Sequence, residues 1–261
     1  MSASRAWPTV ERVEELAAFV FGRDSELEEL RRRLRSRKSF ALYGASGAGK
    51  TYLLRRVIRD FPEALYCPNS NSPQLVFQSL AFGLIASRDR SVRASLRNES
   101  AVKTKSTISL RGIVLDAVRR GSYWVVLDHL RGPAAALSSD TRDLMFYGGT
   151  PVLAVARSAH MEDLGFLTPM FALRAERMRL ANFAPTEATQ FAEWAADRVG
   201  VRAMNLSEFL QRIVALSQGS PGAIKRMIHM AMLPKYRAHG HIKTSPLYID
   251  FRLAWHAENA W

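Results

Sequence analysis

The stretch GASGAGKT, Gly44 to Thr51, carries glycines at 44, 47 and 49 followed by Lys50 and Thr51. The pattern G-x-x-x-x-G-K-[ST] suits one chemistry above others, the cradling of phosphate oxygens. Glycines at this spacing let the backbone of Gly44, Ala45, Ser46, Gly47, Ala48 and Gly49 turn its N–H groups inward. A helix starting at Lys50 would aim its positive end at the same point. The Lys50 ammonium can reach β- and γ-phosphates, the Thr51 hydroxyl can ligate magnesium, and Tyr52 follows on the same helix. Further along, YWVVLDHLRG at 123–132 runs four apolar residues, Trp124 to Leu127, into Asp128 and then His129. A buried strand that ends in a carboxylate can supply the second magnesium ligand of such a site.

The elements that must position these groups follow from hydrophobic period. FGRDSELEELRRRLRSR at 21–37 places Leu27, Leu30 and Leu34 at helical spacing, with acidic residues early and arginines late, as the helix dipole favours. SFALY at 39–43 reads as a buried strand feeding the phosphate loop, and KTYLLRRVIRDF at 50–61 as the helix leaving it. A short strand at Ala64–Cys67 precedes a helix opened by Ser72 as N-cap and Pro73 in its first turn. A helix at about 108–120, the YWVVLD strand, a helix near 138–147 and strands near 151–157 and 177–183 continue the alternation. That order predicts an α/β fold, a parallel sheet with helices on both faces.

After Pro185 the strands stop, and TEATQFAEWAADRVG, NLSEFLQRIVALSQG and SPGAIKRMIHMAML read as three helices. The expected organisation is an N-terminal arm (1–20), an α/β core (21–185), a small all-helical domain (186–235) and a C-terminal tail (236–261). Within the core, residues 87–107 are polar and basic, and a mobile surface loop or weakly held helix is expected there. In the tail, Leu247, Ile249, Phe251, Leu253 and Trp255 alternate at period two, which predicts a one-sided strand packing on its own domain; docking of that strand, with Trp255 or Trp261, onto a partner is the alternative.

The 261 residues carry 37 Lys and Arg against 24 Asp and Glu, a net charge of +13. That excess attracts nucleic acid, acidic protein surfaces or anionic lipid, without choosing among them. The single cysteine, Cys67, rules out an internal disulfide and fits a reducing compartment. The longest apolar run, 75–86, is shorter than the roughly 20 residues that span a bilayer, and the N-terminus lacks a signal-peptide core. A cytoplasmic chain with no membrane role is expected.

At this point the chain resembles the AAA-plus and STAND branch of P-loop ATPases, origin-recognition-like members included, over residues about 20–233. FGRDSEL at 21–27 is similar to the segment that contacts adenine in these families, which would make Phe21, Gly22 and Arg23 nucleotide-binding residues. VLAVARS at 152–158 is similar to the strand ending in a sensor arginine, so Arg157 would sense the γ-phosphate. GSPG at 219–222 resembles the glycine-x-proline motif of a helical lid, with Pro221 against the base. Gly222 stands near the place where many AAA-plus lids carry a second sensor arginine, and Lys225 or Arg226 could substitute only by reaching, which favours the STAND side. The resemblance implies ATP and Mg2+ as cofactors, and the absence of a guanine-reading N-K-x-D pattern agrees with adenine.

The family pattern has an acidic residue after Asp128, where this chain has His129. A neutral imidazole positions water less well than a carboxylate. Alternatively, His129 points away onto a neighbouring helix, with Asp140, Asp143 or Glu162 in reserve. The expectation is ATP binding with slow or partner-stimulated hydrolysis, a role for Lys50, Asp128, His129 and Arg157 in catalysis, and a nucleotide-gated switch. Three uses of that switch stay open. One is association with double-stranded DNA through the basic stretches 31–38 and 87–107. Another is a protein-binding regulatory module or self-assembly, with Arg174 or Arg177 as an intersubunit finger. The last is a scaffold without hydrolysis.

Overall fold

β1 (Phe40–Tyr43) and the strand beside it, β4 (Val152–Ala156), are buried along nearly their whole lengths, as strands covered on both faces must be. We describe a computed structural model, covering residues 21–259 apart from Asn71, Arg97, Ala134 and Tyr147. The expected N-terminal arm at 1–20 and Trp261 lie outside the described residues. The five-stranded sheet has the order β2-β3-β4-β1-β5, with β2 (Ala64–Cys67), β3 (Trp124–Leu130) and β5 (Arg177–Arg179) completing it. β1 with β4, β2 with β3, and β3 with β4 pair in parallel. α1 (Asp24–Ser36) leads into β1; parallel neighbours need crossovers, and the segments between strands carry helices: α2 (Lys50–Ile58), α3 (Pro73–Ala86), α4 (Arg90–Ser95), α5 (Glu99–Thr104), α6 (Thr107–Arg120), α7 (Ala135–Phe146) and α8 (Met161–Leu164). The sheet is a P-loop core with helices on both faces, followed by a helical region.

By backbone contact the chain divides into two compact units. One contains Lys50–Met178 with the described residues up to Tyr43. The other contains Gly44–Gly49 with the chain from Arg179 onward. In the first unit, Trp124 is fully buried, meets Phe40 edge-on at 6.1 Å, and donates its indole N–H to Leu34 O at 3.2 Å. Leu30 and Leu34 of α1 bury completely, worth roughly 1.5–3 kcal/mol each. Ser72 caps α3, its hydroxyl accepting from Leu75 N–H, with Pro73 in the first turn.

Of the two forms expected for residues 87–107, a mobile loop or a weakly held helix, the structure shows helix. They fold as α4 and α5, capped by Asp89 and Asn98, while Ser106 caps α6. Val92, Leu96 and Val102 are fully buried and tie the stretch to the core. Its Ser, Asp and Asn residues serve as caps, which is why the composition reads as loop. Arg88, Arg90, Arg93 and Lys103 remain exposed.

The second unit holds α9 (Pro185–Val199), α10 (Leu206–Ser217), α11 (Pro221–Met230), a two-stranded antiparallel ribbon (β6, Arg237–Ala238; β7, His241–Ile242) and α12 (Thr244–Asn259). The tail strand expected at 247–255 is thus an α-helix. Alternation at period two contains a period of four within it: Leu247 and Phe251 are buried and Trp255 is half-buried, while Ile249 and Leu253 are exposed. The pattern was ambiguous between strand and helix, and packing of every fourth residue settles it.

Candidate functional site

Lys50 and Thr51 open α2, Asp128 and His129 lie near the end of β3, and Arg157 follows β4. β3 and β4 are adjacent and parallel, so their carboxyl ends share one edge of the sheet, the edge where open α/β sheets bind ligands. Asp128 is 1% exposed, and its carboxylate is well supplied with donors. Oδ2 accepts from Thr51 Oγ1 at 2.9 Å and from the Tyr66 hydroxyl at 2.7 Å, and Oδ1 accepts the His129 N–H at 2.8 Å. Tyr66 was missed in the sequence. The signal was there in outline: β2 pairs Tyr66 with Val126, which puts Tyr66 and Asp128 on the same face, one step apart. Burial and then the Asp128 charge push the Tyr66 phenol well above its ordinary range.

His129 sits in the left-handed region, φ 57°, and the pairing of β3 with β4 shifts register between Leu127 and Leu130. This bulge re-aims the side chain. Of the two orientations open from sequence, the ring takes the one facing the site: Nε2 is 3.3 Å from Thr51 Oγ1 and 3.8 Å from Asp128 Oδ2.

Burial pushes the Lys50 ammonium down to about 8, while the charges of Asp128 and Asp163 pull it up and Arg157 adds to the lowering. Arg157 thus lies within electrostatic reach of Lys50, and its Nε is 3.4 Å from Asp163 Oδ1. Asp163, 7% exposed, is a second residue that the sequence did not single out. Of the carboxylates considered in reserve, Asp140 is engaged by Arg111 at 2.6 Å and Glu162 is exposed. The acidic neighbour of Lys50 is one residue past Glu162, on the inward side of α8.

In the helical unit, the phosphate loop is held from below by the start of α11. The Gly222 N–H donates to Gly47 O at 2.9 Å. A Cβ on Gly222 would come within 2.8 Å of Gly47 Cα, and one on Gly47, where φ is 80°, would meet Ser220 Oγ at 2.6 Å and the Trp255 ring at 2.8 Å. Glycine is needed at 222 because the two backbones touch, and at 47 because its φ lies in the left-handed region beside packed side chains. Pro221 occupies the first turn of α11 beside this contact, and Ser220 caps the helix. Gly44, Ala45, Ser46, Ala48 and Gly49 complete the loop, and half-buried Tyr52 follows Thr51 on α2. Phe21 and Gly22 precede α1. Arg23, 6% exposed, pairs with Glu26 at 2.6 Å, and although burial alone would raise the Glu26 carboxyl, this bond helps hold it below its ordinary value.

The profile of the AAA ATPase domain family matches residues 20–217, about three quarters of the chain. The protein belongs to this family. No curated protein sequence gives a significant match. Among solved structures, the chain is similar to a Walker-type ATPase of Pyrococcus abyssi, at 14% identity and a TM-score of 0.61, over 92% of this chain and 74% of that one. It is also similar to the ORC1 protein of Aeropyrum pernix, determined in complex with DNA, at 15% identity and a TM-score of 0.64, over 92% of this chain and 66% of that one. For the Cdc6 protein of Pyrobaculum aerophilum the values are 15% and 0.53, over 80% and 61%. At these identities the likeness is one of fold, and the chain spans roughly two thirds of the origin-recognition proteins' length.

Family membership makes this a P-loop AAA ATPase domain, a nucleotide-binding fold whose members commonly use magnesium. The donor set here fits that ion. Thr51 Oγ1 and Asp128 Oδ2 are hard oxygens 2.9 Å apart, close to the separation of about 3.0 Å between adjacent positions of an octahedral ion with 2.1 Å bonds. When bound, the ion would neutralise charge on the β- and γ-phosphates. Lys50 and Arg157 place two cationic side chains near each other at this edge. Among the described residues there is no cluster of three or more His, Cys, Asp or Glu side chains suited to a metal, and no helix long and apolar enough to cross a membrane.

Proposed function

We propose that the protein binds ATP with a divalent cation, hydrolyses it slowly unless a partner stimulates it, and works as a nucleotide-gated switch. The observation that carries this reading is the arrangement of Lys50, Thr51 and Asp128 with an imidazole, not a carboxylate, beside them. Phosphoryl transfer relies on positioning and charge, so a site with its cations and metal ligands in place but a weak water-orienting group holds nucleotide well and turns it over poorly. Arg157 distinguishes ATP from ADP by the γ-phosphate charge. The loop contact between Gly222 and Gly47 means that drawing the loop N–H groups toward phosphate also loads the start of α11, so occupancy is read out as a conformation.

Double-stranded DNA is the partner this reading favours. It is supported by the +13 charge and by the exposed Arg88, Arg90, Arg93 and Lys103 around α4 and α5, and the fold resembles that of an ORC1 protein determined with DNA. Contacts of this kind are to phosphates, with affinity that falls steeply with salt. The test is phosphate release from ATP and magnesium with and without duplex DNA, at 50 and 200 mM salt. Stimulation by DNA that disappears at the higher salt is expected; a rate indifferent to DNA at both would refute this partner.

A second reading, a STAND-like module that docks a protein or its own copies, draws on a different surface. Met161, Phe166 and Leu173 are 53%, 62% and 65% exposed along α8 and the 3-10 turns after it. Arg174 is exposed beside them, whereas Arg177 is engaged with the Phe171 carbonyl, so Arg174 is the better intersubunit finger.

A further inference from the structure

We infer that His129 is a third protein ligand of the nucleotide's divalent cation, and that it biases the site toward Mn2+ and related transition ions over Mg2+. The inference rests on the ATP-binding reading above and concerns which cation accompanies the nucleotide. Three donor atoms form a triangle: Thr51 Oγ1 to Asp128 Oδ2, 2.9 Å; Thr51 Oγ1 to His129 Nε2, 3.3 Å; His129 Nε2 to Asp128 Oδ2, 3.8 Å. An ion about 2.2 Å from each atom can sit on this triangle; the 2.9 and 3.3 Å edges lie close to the ~3.1 Å edge of an octahedral face, and the 3.8 Å edge reaches it when His129 Nε2 draws in by about 0.7 Å. The opposite face remains for nucleotide oxygens and water.

The geometry at His129 is built rather than incidental. A non-glycine residue seldom adopts φ 57°, and here it does so at the register shift in β3, with its own N–H on Asp128 Oδ1. The consequence is that Nε2 lies next to the Thr51 hydroxyl. With the ring proton on Nδ1, the Nε2 lone pair is available to a metal.

Chemistry then sets the preference. Mg2+ takes oxygen donors and holds its waters tightly, so a nitrogen at one position brings it little. Imidazole suits first-row transition ions, and Mn2+ accepts both carboxylate oxygen and imidazole nitrogen in octahedral geometry. The two oxygens alone would serve either ion, so His129 is the residue that decides.

The test titrates the full chain with a fluorescent, non-hydrolysable ATP analogue in Mg2+, in Mn2+ and without divalent ion, for wild type, His129→Asn and His129→Gly. Both replacements tolerate a left-handed backbone, so the fold should be kept. Pulsed EPR on the Mn2+ ternary complex gives a readout independent of turnover. The expected result is binding about 10-fold or more tighter with Mn2+ than with Mg2+ in wild type, a ratio that falls toward one in both variants, and a nitrogen-14 coupling to Mn2+ that both variants lose. Equal ratios in all three proteins, with the same EPR spectrum, would overturn the imidazole ligand and leave the nucleotide reading standing. Failure to bind the analogue with any ion would overturn both.

Discussion

His129 and Thr51 face each other across 3.3 Å, the imidazole nitrogen against the hydroxyl, although the backbone at His129 must enter the left-handed region to allow it. The residue that replaces the family's acidic group has therefore not left the site. Its ring stays beside Thr51 and Asp128, with an imidazole's chemistry in place of a carboxylate's.

Replacing the imidazole by a carboxylate should restore water positioning. His129→Glu is expected to raise ATP turnover by about 10-fold or more, part of the roughly 10²–10⁴-fold that one positioned acid–base group supplies. Steady-state phosphate release measures it. A rate equal to or below wild type would mean that the brake lies elsewhere.

Lys50 carries a pH signature. Its ordinary value is near 10.5, and burial holds it at about 8 in the folded protein. Between those values the unfolded chain binds the extra proton, so stability rises with pH across that window; below pH 8 the buried charge is a constant cost. Lys50→Met should raise the melting temperature by a few degrees at pH 7, with the gain vanishing toward pH 10, while abolishing stabilisation by ATP. Thermal scans across pH check both parts, and a variant no more stable than wild type at pH 7 would contradict the first.

Tyr66 donates to Asp128 Oδ2 from the neighbouring strand. Tyr66→Phe removes that donor from a buried carboxylate, at a cost of about 1–2 kcal/mol. It should also loosen the carboxylate's aim and weaken divalent-dependent ATP binding several-fold. Denaturant midpoints and a divalent titration of ATP affinity separate the effects: a stability loss with unchanged affinity would make Tyr66 a packing residue only.

Much of this was legible beforehand. The phosphate loop, the Asp128 strand, and the Ser72–Pro73 start of α3 follow from local rules, and local rules operate within a few residues. What escaped depends on tertiary neighbours. Asp163 and Glu162 are adjacent and both acidic, yet only packing of α8 makes the first buried and the second exposed. Val92, Leu96 and Val102 are too sparse to announce helices until the core receives them. The tail's alternating apolar residues fit a strand and a helix equally well until Leu247 and Phe251 are buried together within the helical unit. The orientation of His129 rests on a positive φ that histidine's identity does not advertise.

The contact between α11 and the phosphate loop gives a fourth prediction. Gly222→Ala places a methyl group 2.8 Å from Gly47 Cα, where backbone must move to admit it. A melting temperature lower by several degrees and ATP affinity reduced about 10-fold or more are expected, with Gly112→Ala in α6, where the backbone is helical and a Cβ meets nothing, as control. Nucleotide affinity unchanged beside lowered stability would mean that the α11 contact does not shape the loop.

The most direct test of the account is single-turnover hydrolysis, with protein in excess over labelled ATP and both divalent ions tried, for wild type and Lys50→Ala. The account predicts that wild type captures the ATP and converts it to ADP slowly, and that Lys50→Ala neither captures nor converts it. ATP left unbound by wild type at millimolar divalent ion, or converted equally by Lys50→Ala, would contradict it.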